Sequence, residues 1–192
     1  MDFTLSLPEW AVEEMANLPS TLPTLEERMA IVIRFSRLNF EQKTGGPFAA
    51  GVFERDTGKP VVVGVNRVVP SHCSSAHAEV MTLSLAQHIL GTHDLGGPGM
   101  PAYQLVVNWR PCVMCYGAVI WSGIRSLAIA GSGPELETIT GFDEGPIHPE
   151  WQQELARRGI DFIDNVLTDE AVKVFRDFAA SGALVYNARQ GD

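Results

Sequence analysis

The sequence predicts an α/β architecture, a β-sheet covered by helices, on three observations. β-rich segments alternate with helical stretches from residue 75 onward, and two earlier β-rich segments are joined by a hairpin turn. The length of 192 residues is enough for one hydrophobic core and short for two. A hydrophobic content of 45% with 19% charged residues excludes a disordered or fibrous chain. There is no internal repeat, low-complexity tract or long charge run to mark a linker. Residues 1–192 are therefore expected to form a single domain, with 1–23 as an N-terminal extension and 169–192 as a C-terminal helix and tail.

The elements follow in order. The proline-containing stretch Leu18 to Pro23 separates a short leader from the first long helix. Thr24 with Glu27 has the form of a capping box, and Met29, Val32, Ile33, Phe35 and Phe40 follow at roughly helical spacing. Thr44-Gly45-Gly46-Pro47 stops that helix. Phe48 to Glu54 and Pro60 to Val65 read as strands joined by the hairpin turn Asp56-Thr57-Gly58-Lys59. A helix is predicted over about Ser75 to Leu90, with His77 and Glu79 in its first turn. Gly96-Gly97-Pro98-Gly99 forms a loop before a third strand, Tyr103 to Asn108, and a second helix of this half begins at the Pro111-Cys112 junction. Ser126 to Ala130 gives a fourth strand, Ile160 to Ile163 a weaker fifth, and a last helix begins near Asp169.

Charge and cysteine usage narrow the function. The formal net charge of -9 works against binding a polyanion, because phosphate contacts need clustered Lys and Arg. A small neutral substrate fits better, and no nucleic-acid partner is expected. No apolar run approaches the roughly 20 residues of a membrane span, and MDFTLSLPEW lacks the basic start and apolar stretch of a signal peptide. A cytoplasmic protein without membrane attachment is the expectation. Three cysteines, two of them in Cys112-Val113-Met114-Cys115, make a poor disulfide framework and point to thiols or thiolates. Cys73 is the spare one, read as a small, partly buried thiol near the site.

The chemistry lies in His77-Ala78-Glu79 followed by Pro111-Cys112-Val113-Met114-Cys115. This is the H-x-E…P-C-x-x-C signature of zinc nucleobase deaminases. Zinc favours thiolate and imidazole ligands, and a catalytic site keeps one position open for water. His77, Cys112 and Cys115, at two helix starts, would supply three protein ligands to Zn2+. Helix N-termini also favour thiolate over thiol, since their free N–H groups stabilise the anion. Glu79 follows His77 by two residues, too close to act as an equivalent ligand but well placed beside a metal-bound water. It reads as the proton shuttle. A lone C-x-x-C is more often a structural zinc knuckle or a redox pair, but a structural site wants a fourth protein ligand and none is obvious. His72, His88 and His93 have no matching motif and read as ordinary surface or core histidines.

From Gly45 to Gly145 the chain resembles the cytidine deaminase-like superfamily, most closely its bacterial guanine deaminase branch, which includes enzymes acting on the triazine ammeline. Gly45-Gly46-Pro47-Phe48-Ala49-Ala50, Gly64-Val65-Asn66, His77-Ala78-Glu79, Pro111 to Ala118, Trp121 and Gly141-Phe142-Asp143-Glu144 carry the resemblance. The last is the most discriminating. The resemblance implies a three-layer fold, a mixed β-sheet with helices on both faces. It implies hydrolytic deamination of a free base, guanine to xanthine and ammonia, in which water activated at the metal attacks C2 and Glu79 passes a proton to ring N3. By the same resemblance Asn66 would hydrogen-bond the base, Phe48 and Trp121 would wall the ring, and the Ala78 backbone would touch the substrate. Glu144, beside Asp143, would assist the departing amino group. It further implies a homodimer in which the tail around Tyr186 crosses to the partner's site. Where many relatives carry an acid before Pro-Cys, this chain has Trp109-Arg110, which bears on pocket shape and substrate choice.

Two readings compete. A tRNA adenosine deaminase shares the Cys-Val-Met-Cys form, but the net charge, the Gly-Phe-Asp-Glu element and a tail poor in basic residues argue against it. A non-catalytic zinc-stabilised interaction domain would have no need of Glu79 beside an open zinc position. Cytosine or cytidine deaminases are less close, and folate or riboflavin-pathway deaminases would bring a reductase or carrier domain that is not visible here.

Overall fold

The turn at Asp56–Lys59 joins β1 (Ala49–Glu54) to β2 (Pro60–Val65) as an antiparallel hairpin, with Ala49 opposite Val65. Gly58 N–H and Glu54 N–H close it, on the Glu54 and Lys59 carbonyls at 2.9 Å each. The structure, a computed structural model, describes residue 2 and residues 4–189. β3 (Tyr103–Val107) lies antiparallel on the other side of β1. β4 (Ser126–Ile129) and β5 (Asp161–Ile163) follow in parallel, so the sheet is mixed and runs β2-β1-β3-β4-β5.

Strand alternation sends side chains to two cores, which is why helices are needed on both faces. Ala49, Phe53, Val63, Val65, Val106 and Ala128 pack on one side with residues of α1 (Glu9–Ala16), α2 (Leu25–Glu41), α5 (Glu135–Thr140) and α7 (Thr168–Ala180). Ala50, Val52, Val62, Leu105, Leu127 and Ile129 pack on the other with α3 (Ala78–Leu90), α4 (Val113–Trp121) and α6 (Trp151–Arg157). The expected three-layer α/β fold is what forms. No helix among the described residues is long and apolar enough to cross a membrane.

α2 starts at the expected capping box: Thr24 Oγ1 accepts from Glu27 N–H at 3.2 Å while the Glu27 carboxylate accepts from Thr24 N–H at 2.9 Å. α3 presses so closely on β2 that a side chain at Gly64 would collide with Thr82. That close approach brings the start of α3 against the sheet end where the site forms.

Four helices differ from expectation. The stretch read as a leader contains α1, whose Ala11 is buried and whose Trp10 packs on Phe35 with ring centroids 5.6 Å apart. α5 and α6 were not foreseen, because they are only 6 and 7 residues long and too short to display a helical period. α3 begins at Ala78, later than Ser75, so His77 is its N-cap and lies just outside the first turn. Residues 1, 3 and 190–192 of the expected N-terminal extension and C-terminal tail lie outside the described residues.

Candidate active site

His77 and Cys112 both occupy N-caps, with extended backbones (ψ 156° and 170°) and no side-chain capping bond, so each leaves its donor atom free to turn inward. Cys115 is at the third position of α4 and is fully buried. Together these three are the residues whose donor atoms all lie within 4.8 Å of one another, and no fourth His, Cys, Asp or Glu joins them among the described residues. Cys112 Sγ stands 3.5 Å from His77 Nδ1. A tetrahedral zinc with ordinary Zn–S and Zn–N bonds sets these atoms about 3.6 Å apart, so the donor set fits the ion. Three soft donors with no fourth protein ligand match a catalytic zinc site.

The protonation pattern agrees. A hydrogen bond from Cys115, opposed by burial and aided by His77, pulls the Cys112 thiol down to about 4. The same hydrogen bond, with burial and the nearby Glu79, pushes Cys115 well above the ordinary thiol range. The pair thus behaves as one thiolate holding one thiol proton, and a cation placed between them displaces that proton. Burial disfavours the charged form of His77, but the hydrogen bond to Cys112 and the negative charge of Glu79 outweigh it and raise its pKa. We expect metal analysis to find about one zinc per chain, lost on Cys115→Ser; a fourth protein donor at the ion would contradict the open position.

Glu79 is 6% exposed, and burial first, then the Cys112 charge, raises its pKa. Glu144 sits on the loop after α5, which is docked to the metal helix: Val113 N–H, one of the four free amides of the α4 N-terminus, donates to the Glu144 carbonyl at 3.1 Å. Burial, with the Cys112 and Glu79 charges, lifts its carboxyl to about 8. A bound divalent cation counters those charges and lowers both carboxyls again. Asp143 is exposed, and its Oδ1 accepts from Gly145 N–H at 2.9 Å, so its side chain shapes the loop.

A cleft of about 280 Å³ connects these groups. Phe48, Asn66, Ala78, Asp143 and Tyr186 line it together with His77, Glu79 and Glu144. Phe48 is braced edge-on by Phe142 at 5.0 Å. The tail closes part of its mouth, and Asn187 latches it to the acidic loop, accepting from Asp143 N–H and donating to the Gly141 carbonyl at 2.8 Å each. This contact is made within one chain. Sequence reasoning did not single out Asn187.

Trp121 is not brought into the cleft. It is 87% exposed at the end of α4 and borders a separate depression with Asp94 and Arg125. Trp121 therefore does not wall the ring within one chain: α4 directs its first turn at the site and its last turn away. Cys73 is likewise apart from the metal set, its Sγ 3.2 Å from Ser75 Oγ. The departure at Trp109-Arg110 has a structural account. Trp109 is buried edge-on against Phe175, and Arg110, at the cleft wall, pairs at 2.9 Å with Glu137 of α5. The Arg110 cation is neutralised by a carboxylate from the helix that leads into the acidic loop.

Residues 23–130 match the family model described as the cytidine and deoxycytidylate deaminase zinc-binding region. The guanine deaminase of Bacillus subtilis (strain 168) is 31% identical over 137 residues, 70% of this chain and 83% of that one. A solved guanine deaminase from Nitrosomonas europaea superposes with a TM-score of 0.88 at 47% identity, covering 93% of this chain and 97% of that chain. A chain solved as a mutant in complex with 8-azaguanine superposes with a TM-score of 0.88 at 47% identity, covering 93% of this chain and 98% of its own. With the three-donor zinc site at two helix starts and these relatives, the chain belongs to the zinc-binding cytidine and deoxycytidylate deaminase family, in its guanine deaminase branch.

Proposed function

We propose that this zinc-dependent aminohydrolase converts guanine and water to xanthine and ammonia, with ammeline as a second substrate of the same ring chemistry. The observation that carries the reading is Glu144, half-buried in the cleft beside the metal donors and tied by its backbone to the metal helix. Zinc, when bound, supplies an activated water at neutral pH by lowering its pKa to about 7. His77, Cys112 and Cys115 hold the ion. Glu79 takes the proton of the attacking water and delivers it to ring N3. Glu144 accepts a hydrogen bond from the 2-amino group, takes the proton of the hydroxyl left on C2 as that oxygen becomes the carbonyl, and passes it to the amino nitrogen as the C2–N bond breaks, so that nitrogen leaves as ammonia. Asn66 and the Ala78 backbone N–H read the ring edge, and Phe48 supports its face.

The cleft volume lies just below the roughly 300–1,000 Å³ of ligand sites, a size that holds a single base. The test is an ammonia-release screen of guanine, ammeline, adenine, cytosine, cytidine and a tRNA stem-loop against the zinc-loaded protein. Guanine as the best substrate supports the reading; release from adenosine in the stem-loop alone overturns it.

Residues 1–192 act as one deaminase unit, and the protein works as a homodimer. Val113, Met114 and Trp121 leave an exposed apolar strip on α4, flanking Gly117, of the kind a second copy covers. The tail through Tyr186 serves as a lid, latched here over its own chain's cleft, and an exchange of tails in the dimer would set the same lid on the partner's cleft. The compartment is the cytoplasm, where metal-binding thiolates escape oxidation. Truncation before Leu184 is expected to lower kcat/KM on the order of 10-fold or more with zinc content unchanged, because the latch on the acidic loop is lost. Wild-type kcat and KM after truncation would remove the lid role, and light scattering reads the dimer mass.

A further inference from the structure

Asn39 lies on α2, outside the cleft, is completely buried, and uses every hydrogen-bonding atom of its side chain. Its Nδ2 donates to two carbonyls, that of Gly46 at 2.8 Å and that of Asn66 at 2.9 Å. Its Oδ1 accepts from Thr44 Oγ1 at 2.8 Å. Thr44 Oγ1 in turn accepts from Trp10 Nε1 of α1 at 3.0 Å. The two carbonyls belong to the two segments that form one edge of the cleft, Gly46 to Phe48 and Asn66 to Val68. A carbonyl can only accept, so the Asn39 atom that faces both carbonyls must be its NH2, and the amide orientation is settled by chemistry.

The consequence falls on Asn66. Its Oδ1 faces Gly46 N–H at 3.4 Å and Val68 N–H at 3.3 Å, the amides of the same two segments. Its Nδ2 is left to the cleft, with no protein acceptor among the described residues. Asn66 is thereby held as a donor toward a ring acceptor, and this orientation depends on the spacing that Asn39 sets between the segments. Gly45 fits between them because a side chain there would strike both the Asn66 carbonyl and Asn39 Nδ2.

We propose that Asn39 is a positioning residue for substrate recognition: through the Gly46 and Asn66 carbonyls it fixes the Asn66 carboxamide as a donor, and Thr44 and Trp10 keep it in place. The inference rests on the cleft being the purine site. Asn39→Asp keeps the shape but sets an acceptor against two carbonyls, and Asn39→Ala leaves the Asn66 carbonyl without its donor and the Gly46 carbonyl with only the Phe48 N–H.

The experiment is a double-mutant cycle with Asn66→Ala, measuring kcat and KM for guanine with zinc content and circular dichroism as controls. Asn39→Asp alone is expected to lower kcat/KM about 10- to 100-fold, mainly through KM, the range for a misplaced polar contact. In the Asn66→Ala background the same change should cost about 2-fold or less, since coupled sites are not additive. Thr44→Val, which removes the hydroxyl and keeps the bulk, should show a smaller loss with the same non-additivity. It serves as the probe if the Asn39 variants do not fold. Wild-type KM in Asn39→Asp, or full additivity with Asn66→Ala in either series, overturns the proposal. If the wild-type protein releases no ammonia from guanine, the purine reading has failed instead, and KM for whichever base proves active takes its place in the cycle.

Discussion

Glu79→Gln is expected to lower kcat by about 10³-fold, within the 10²–10⁴ range of a positioned acid or base, while zinc content and thermal midpoint change little. Glu79 is buried one position into α3, beside the metal donors and outside the three-residue ligand set, so glutamine preserves its volume and removes only its ability to hold a proton. No neighbour replaces it: Glu144 lines the same cleft, and in the proposed reaction its carboxyl serves the departing amino group. The loss should appear in kcat more than in KM, since a proton moved in the transition state contributes little to ground-state binding. A variant that retains more than about a tenth of wild-type kcat with full zinc would remove Glu79 from the proton path.

Glu144→Gln is expected to lower kcat by roughly 10²-fold or more with zinc unchanged, and Asp143→Asn to remain close to wild type. A nucleophile attacking C2 puts one proton on the ring, yet the amino group needs another to depart, and one carboxylate can serve both only by moving. Both residues line the cleft, but the Asp143 carboxylate is turned back onto Gly145 N–H, a role that asparagine keeps through its own Oδ1. The reverse outcome, near-normal kcat in Glu144→Gln and none in Asp143→Asn, would assign the second acid to Asp143. Full activity in both would weaken the choice of guanine as substrate.

Those two expectations differ in how they could be read from the chain. Glu79 and the three metal donors are spaced two or three residues apart within their motifs, and local spacing at a helix start is a property of the backbone alone. Glu144 lies far from both motifs in sequence and carries no periodic signal of its own. It was reached by resemblance to relatives, and its place beside α4 comes from a loop whose course is set by packing.

Strong local codes wrote the α2 capping box, the β1–β2 hairpin, the strand over Pro60–Val65 and the helix start at Cys112, and put the start of α3 within three residues of its place. Each depends on interactions between residues a few positions apart, which a single chain displays directly. Tertiary structure decided the rest. Trp121 follows the metal motif closely in sequence, yet nine residues of helix turn it out to solvent. Asn39 reads in isolation as an unremarkable polar residue near a helix end, and becomes a hub only because the sheet brings Gly46 and Asn66 to either side of it. Arg110 gains its meaning from Glu137, and Asn187 from the Asp143 loop. These are contacts between residues 27 or more positions apart, apart from Asn39 with Gly46, which the returning β1 brings within reach. Strand register and helix packing create them by bringing together segments that carry no mutual signal along the chain.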